Sequence, residues 1–126
     1  MTTYFTISLF QKRVREWILT TLGKKSGDNL EERLLRFYEE ATELVQALDL
    51  PKERAQAILD YVYGRPKGDP EQEFGGTGIT LAGLASCRVV NISLQQAFNK
   101  ELRRCHKNSE RIAAKQMAKE LRGEGL

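Results

Sequence analysis

Along most of this chain apolar residues recur at three- and four-residue steps, the spacing that lines one face of an α-helix. Leu30, Leu34, Phe37, Ala41, Leu44, Val45 and Leu48 form the clearest stripe, and Asp28 just before it is a suitable N-cap. Upstream, Ser8 and Gln11 make a capping-box pair ahead of Phe10, Val14, Trp17 and Ile18, so a first helix is predicted over about residues 8–22. Gly23-Lys-Lys-Ser-Gly27 then reads as a loop. Phe5, Ile7 and Leu9 alternate, but no hairpin partner lies nearby, and they are read as irregular.

After the stripe, Leu50-Pro51 breaks the helix, and Pro51 suits the first turn of a third helix carrying Ala55, Ile58, Leu59 and Val62 and stopped by Gly64. Residues 64–70, rich in Gly and Pro, form a loop. Asp69, Pro70 and Gln72 then supply a cap, an N1 proline and an N3 acceptor for a fourth helix. That helix must carry Gly75, Gly76, Gly78 and Gly83, each costing ~1 kcal/mol relative to alanine. Such spending predicts close approach of another helix or a ligand, the alternative being a kink or an end near Gly78. Ser93 with Gln96 opens a last long helix through Ala97, Phe98, Leu102, Ile112 and Met117, with residues 121–126 frayed. The pattern predicts an all-α bundle of about five helices in one domain spanning residues 1–126.

The charge changes this picture only when resolved along the chain. The formal net charge of +3 hides an uneven spread. Residues 1–27 hold five Lys/Arg against one Glu, residues 28–98 seven against twelve acids, and residues 99–126 eight against four. An acidic centre thus lies between basic arms. Because acids are interleaved with the bases, the arms read as solvated helix surface, and nucleic acid is disfavoured as a partner. With no apolar run near ~20 residues, no membrane partner is expected. Cys87, Cys105 and the lone His106 offer neither a disulfide framework nor a zinc shell. The uncharged Met1 to Phe10 lacks the basic start of a secretory signal, and a cytoplasmic location is expected.

Within the acidic centre, Glu40 and Glu43 lie three residues apart and border the apolar stripe, so they aim two carboxylates at one point. Like charges so placed repel unless a cation sits between them, and a hard divalent ion takes one or two carboxylates plus substrate phosphates. Mg²⁺ is the natural candidate, with Glu73 near the start of the fourth helix as a further carboxylate.

The run Arg36-Phe-Tyr-Glu39-Glu40-Ala-Thr-Glu43 resembles the first motif, EExxE, of the MazG-like superfamily of all-α nucleoside triphosphate pyrophosphohydrolases. Glu71-Gln-Glu73-Phe-Gly-Gly76 is similar to its second motif, ExxD, and Ala97-Phe-Asn99-Lys100-Glu-Leu-Arg103-Arg104 to its later Asn-Lys stretch followed by arginines. The resemblance covers about residues 30–112, and the glycine-rich fourth helix looks most like phage and prophage members. It implies a four-helix core and Mg²⁺-dependent hydrolysis, with Mn²⁺ as a substitute, of a deoxy or noncanonical triphosphate to monophosphate and pyrophosphate.

It further implies Glu40, Glu43 and Glu73 as metal ligands and Glu39 or Glu43 as the carboxylate that orients water. By family position Asn99, Lys100, Arg103 and Arg104 are the candidates to meet the phosphates; Lys67, in the loop before Glu73, is a further candidate by proximity. A homodimer or homotetramer is the implied assembly. One departure matters: Gly76 stands where the family has its fourth metal carboxylate. Water filling that position is the favoured reading; recruitment of Glu39, Asp69 or Glu71, or loss of activity, are the others. The competing function is a catalytically inactive helical module that binds nucleic acid or a protein through the basic terminal helices.

Overall fold

In a computed structural model, residues 5–121 are described, and they form six helices with no strand among them. The helices are α1 (Ile7–Gly27), α2 (Leu30–Ala47), α3 (Lys52–Tyr63), α4 (Pro70–Ser86), α5 (Leu94–Lys107) and α6 (Ser109–Leu121). The all-α class is as predicted, with one helix more than expected. The predicted last helix divides at Asn108. There the Asn108 amide donates to the Arg104 carbonyl at 2.9 Å, and the Ser109 hydroxyl reaches the Cys105 and His106 carbonyls at 3.1 and 3.0 Å. Side chains that bond to nearby carbonyls compete with the helical ladder, which is the reason for the break. The predicted fraying at residues 121–126 falls on 122–126, outside the described residues, and on Leu121, which ends α6.

Several helix ends differ from the sequence reading, by one or two residues at the starts and by about five at the end of α1. The cap of α1 is Thr6, not Ser8: the Thr6 hydroxyl accepts from the Leu9 N–H at 3.0 Å. Residues 24–27 are helical instead of looped, because a single non-helical residue, Gly23 at φ 82°, lets the chain bend and resume. Asp28 does not cap α2. Asn29 does, accepting from the Glu32 N–H at 3.0 Å, while Asp28 is drawn back to Arg15. Pro51 stands at the cap of α3, just outside its first turn, and Gly64 ends that helix as predicted. The start of α4 follows the sequence signals closely, Asp69 accepting from the Gln72 N–H at 2.9 Å ahead of Pro70.

A Schellman closure ends α2. The Leu50 N–H donates to the Val45 carbonyl at 3.0 Å and the Asp49 N–H to that of Gln46 at 2.9 Å, with Asp49 held at φ 67°.

Two compact units result. One comprises residues up to Glu40 together with those from Gln95 onward; the other is Ala41–Leu94. In the first, α1 packs along α6, Phe10 stacks on Phe98 with ring centroids 5.0 Å apart, and the Trp17 indole N–H donates to Ser109 Oγ at 3.1 Å. Gly27 is buried there, and a Cβ on it would come within 2.9 Å of Ile18 Cγ2, so the chain can turn at this point only without a side chain. In the second unit Ala85 is the buried apolar residue, whereas Leu44, Ile58, Tyr61, Phe74 and Ile79 are exposed. Helix α4 runs unbroken through its glycines, so no kink forms at Gly78. The close approach expected at them is not made among the described residues: none lies within 4 Å of a Cβ built on Gly75, Gly76, Gly78 or Gly83.

Candidate functional site

Because α2 is continuous from Leu30 to Ala47, its acidic residues keep helical spacing. Glu40 and Glu43 lie one turn apart on one face and are both exposed. Glu39 turns another way. It is half-buried, accepts from Lys119 Nζ of α6 at 3.2 Å, and lies 4.0 Å from Arg36 Nε.

The carboxylate of Glu40 acts electrostatically on both Arg104 and Cys105, so one predicted metal ligand and one predicted phosphate-binding cation share a neighbourhood. Arg104 is oriented by Glu101, donating from Nε to both carboxylate oxygens at 3.0 Å and from Nη2 at 2.5 Å. That fork holds the Glu101 carboxyl below its ordinary range. Burial, reinforced by the Glu101 charge, pushes the Cys105 thiol up, so it stays protonated at neutral pH and is a poor nucleophile. Asn99 and Arg103, and Lys100 and Arg104, are pairs one turn apart on the same helix.

Two predicted site residues belong to the second unit with Glu43. Lys67 lies exposed in the loop before α4. Glu73, in the first turn of α4, folds its carboxylate back over Gly68, where a Cβ would be 2.5 Å from Glu73 Oε1. Gly76 faces open space. Among the described residues no group of three or more His, Cys, Asp or Glu is gathered around one point.

The sequence reading passed over two arginines. Arg33 and Arg36 precede Glu40 and Glu43 at steps of three, four and three, so all four share one side of α2. Arg33 Nε and Nη2 and all three nitrogens of Arg36 are shut off from solvent without a hydrogen-bond partner. The nearest carboxylates, Glu32 at 3.7 Å from Arg33 and Glu39 at 4.0 Å from Arg36, are beyond hydrogen-bonding distance. Burial lowers the Arg33 pKa, with Arg36 adding repulsion against the pull of Glu32 and Glu120. The spacing was the available signal; the burial was not.

The class these features define is an all-α chain whose second helix sets Arg33 and Arg36 on the same side as the exposed carboxylates Glu40 and Glu43. No protein-family model, curated protein or solved structure matches the chain, so its site is interpreted from its own residues.

Proposed function

We propose that the chain is a Mg²⁺-dependent nucleoside triphosphate pyrophosphohydrolase of the MazG-like kind, cleaving a deoxy or noncanonical triphosphate between its α and β phosphates. The observation that carries this reading is the pairing of exposed Glu40 and Glu43 on one face of α2, with Glu40 in the field of Arg104. Two carboxylates one turn apart suit Mg²⁺ or Mn²⁺, ions commonly held by one or two carboxylates together with substrate phosphates, and Glu73 is the third ligand the resemblance implies. When bound, the ion supplies charge neutralisation at the phosphoryl oxygens.

The remaining work falls to the chain itself. Glu43, exposed and without a partner among the described residues, is better placed than Glu39 to orient the attacking water, since Glu39 is engaged by Lys119. Water attacks the α phosphorus, the bond to the bridging oxygen of the β phosphate breaks, and pyrophosphate leaves. Arg104 and Lys100, with Asn99 and Arg103 on the same helix and Lys67 from its loop, neutralise and orient the departing group. The reading includes assembly as a homodimer or homotetramer, supported by apolar side chains such as Phe74 and Ile79, 81% and 75% exposed in the single chain.

Pyrophosphate release from a panel of triphosphates, with and without Mg²⁺, tests the proposal. Turnover is expected to require the metal and to vanish in Glu40→Gln and Glu43→Gln variants of unchanged helicity. Metal-independent release, or none from any triphosphate, overturns it.

A further inference from the structure

A groove of about 580 Å³ opens between α1 and the start of α6, wholly within the first unit. Its size is in the range of small-molecule sites, roughly 300–1,000 Å³. Arg13, Glu16, Trp17 and Thr20 line its α1 wall, at steps of three, one and three that place them on one side of the helix. Ser109 and Glu110 of α6 stand opposite.

Trp17 is the one tryptophan in the chain, and it is fixed. Its indole N–H donates to Ser109 Oγ at 3.1 Å, and that hydroxyl is anchored on the carbonyls at the end of α5. The ring is therefore a half-buried, oriented aromatic plate. Around it stand Arg13, Glu16 and Glu110, charged groups that neither ion-pair with one another nor hydrogen-bond to any other described residue. These exposed charged groups have no partner among the described residues, so water is all a ligand must displace to bond them beside the fixed indole.

The lining chemistry narrows the ligand. A flat ring stacks on the indole, a carboxylate accepts from paired N–H groups, and a guanidinium donates to paired acceptors. Guanine offers all three together: a two-ring face, the N1–H and N2–H donors on one edge, and the O6 and N7 acceptors on the next. Adenine, with a donor beside N7, lacks the acceptor pair, and the pyrimidines have a smaller face. The groove is also distinct from the acidic side of α2. Arg104, which feels Glu40, and His106, which lines the groove, are two residues apart and so project about 200° from each other around α5.

We propose that the groove between α1 and α6 binds a guanine-type nucleobase stacked on Trp17, at a site separate from the carboxylates of α2. Nothing in this site requires a phosphate or a metal, so it stands whether or not the chain hydrolyses triphosphates.

Titrating the full-length protein with guanosine in metal-free buffer, while following the fluorescence of Trp17, tests it. Guanosine should change the emission saturably, and adenosine, cytidine and uridine should do so only at much higher concentration. Arg13 and both glutamates are exposed, so Arg13→Met and the double Glu16→Gln, Glu110→Gln variant keep the fold. Each is expected to weaken guanosine by about tenfold or more, the loss of one bidentate contact, whereas Glu40→Gln leaves the titration unchanged. No saturable change, an equal response to all four nucleosides, unaltered affinity in the Arg13 and glutamate variants, or loss of the response in Glu40→Gln would each overturn the proposal.

Discussion

Replacing Arg36 by methionine should make the protein more stable, against the usual direction for a change at a half-buried position. Arg36 is a half-buried side chain whose three nitrogens are shut off from solvent and have no hydrogen-bond acceptor. A buried donor left unsatisfied costs about 1–3 kcal/mol, and a charged one more. Against that stands the pairing with Glu39, at 4.0 Å too long for a hydrogen bond and worth about 0.2–1 kcal/mol where partly exposed. Methionine keeps an unbranched apolar stem of similar length, so most of the packing survives. The balance favours Arg36→Met by about 1–2 kcal/mol. Urea unfolding followed by circular dichroism, at one protomer concentration so that any assembly contributes equally, should show a higher midpoint at unchanged slope. Arg36→Lys, which keeps a buried cation, should show no such gain. A loss of more than about 1 kcal/mol in Arg36→Met would mean that the guanidinium has an acceptor it depends on, refuting the reasoning.

Three further outcomes follow from single contacts. Asp49 closes the Schellman turn of α2 at φ 67°, so Asp49→Gly should stabilise by about 0.5–1 kcal/mol in the same unfolding assay, and a loss would contradict the strain. Gly68→Ala introduces a Cβ 2.5 Å from Glu73 Oε1, the free end of a flexible side chain. Stability should stay within about 0.5 kcal/mol while the carboxylate swings away, and under the proposed function a weaker apparent Mg²⁺ dependence of turnover follows; unchanged metal dependence would remove Glu73 from the ligand set. Glu101 has its carboxyl held below the ordinary range chiefly by the hydrogen bonds from Arg104, so its contribution is present at neutral pH and is lost as pH falls through the carboxylate range. In Glu101→Gln the acid side of a stability-versus-pH curve should be flatter, and an identical acid limb would show that the fork contributes nothing.

Periodicity was the most legible property of this chain. The stripe from Leu30 to Leu48 and the Asp69-Pro70 signal describe α2 and the start of α4 almost to the residue, because spacing and capping act over a few neighbours. The errors lie where two local signals compete. Asp28 and Asn29 are both good caps, and Arg15, thirteen residues earlier, decides between them by drawing the aspartate away. Asn108 and Ser109 read as ordinary polar positions of a long helix until their side chains take the carbonyls of the preceding turn. The glycines of α4 were read correctly as tolerated within a helix, but the expected neighbour is not among the described residues. Nothing in a linear sequence says whether a surface is met by the same molecule or by another.

The candidate site residues were chosen by type and spacing, and the partners of the carboxylates among them were not legible that way. Helix α2 places Glu39, Glu40 and Glu43 in its second half, ahead of a last turn that holds no basic residue. Glu39 is compensated by Lys119, eighty residues away, and Glu40 by the field of Arg104, long-range partners that only the fold reveals. Glu43 is left without compensation among the described residues. A cation shared by Glu40 and Glu43 would remove the repulsion between them. The same helix leaves the guanidiniums of Arg33 and Arg36 without acceptors at its other end, so the cost is not confined to the carboxylates. A divalent ion bound at the carboxylates should therefore raise the unfolding midpoint of the wild-type protein and leave that of Glu43→Gln nearly unmoved, and equal shifts in the two would place the ion elsewhere.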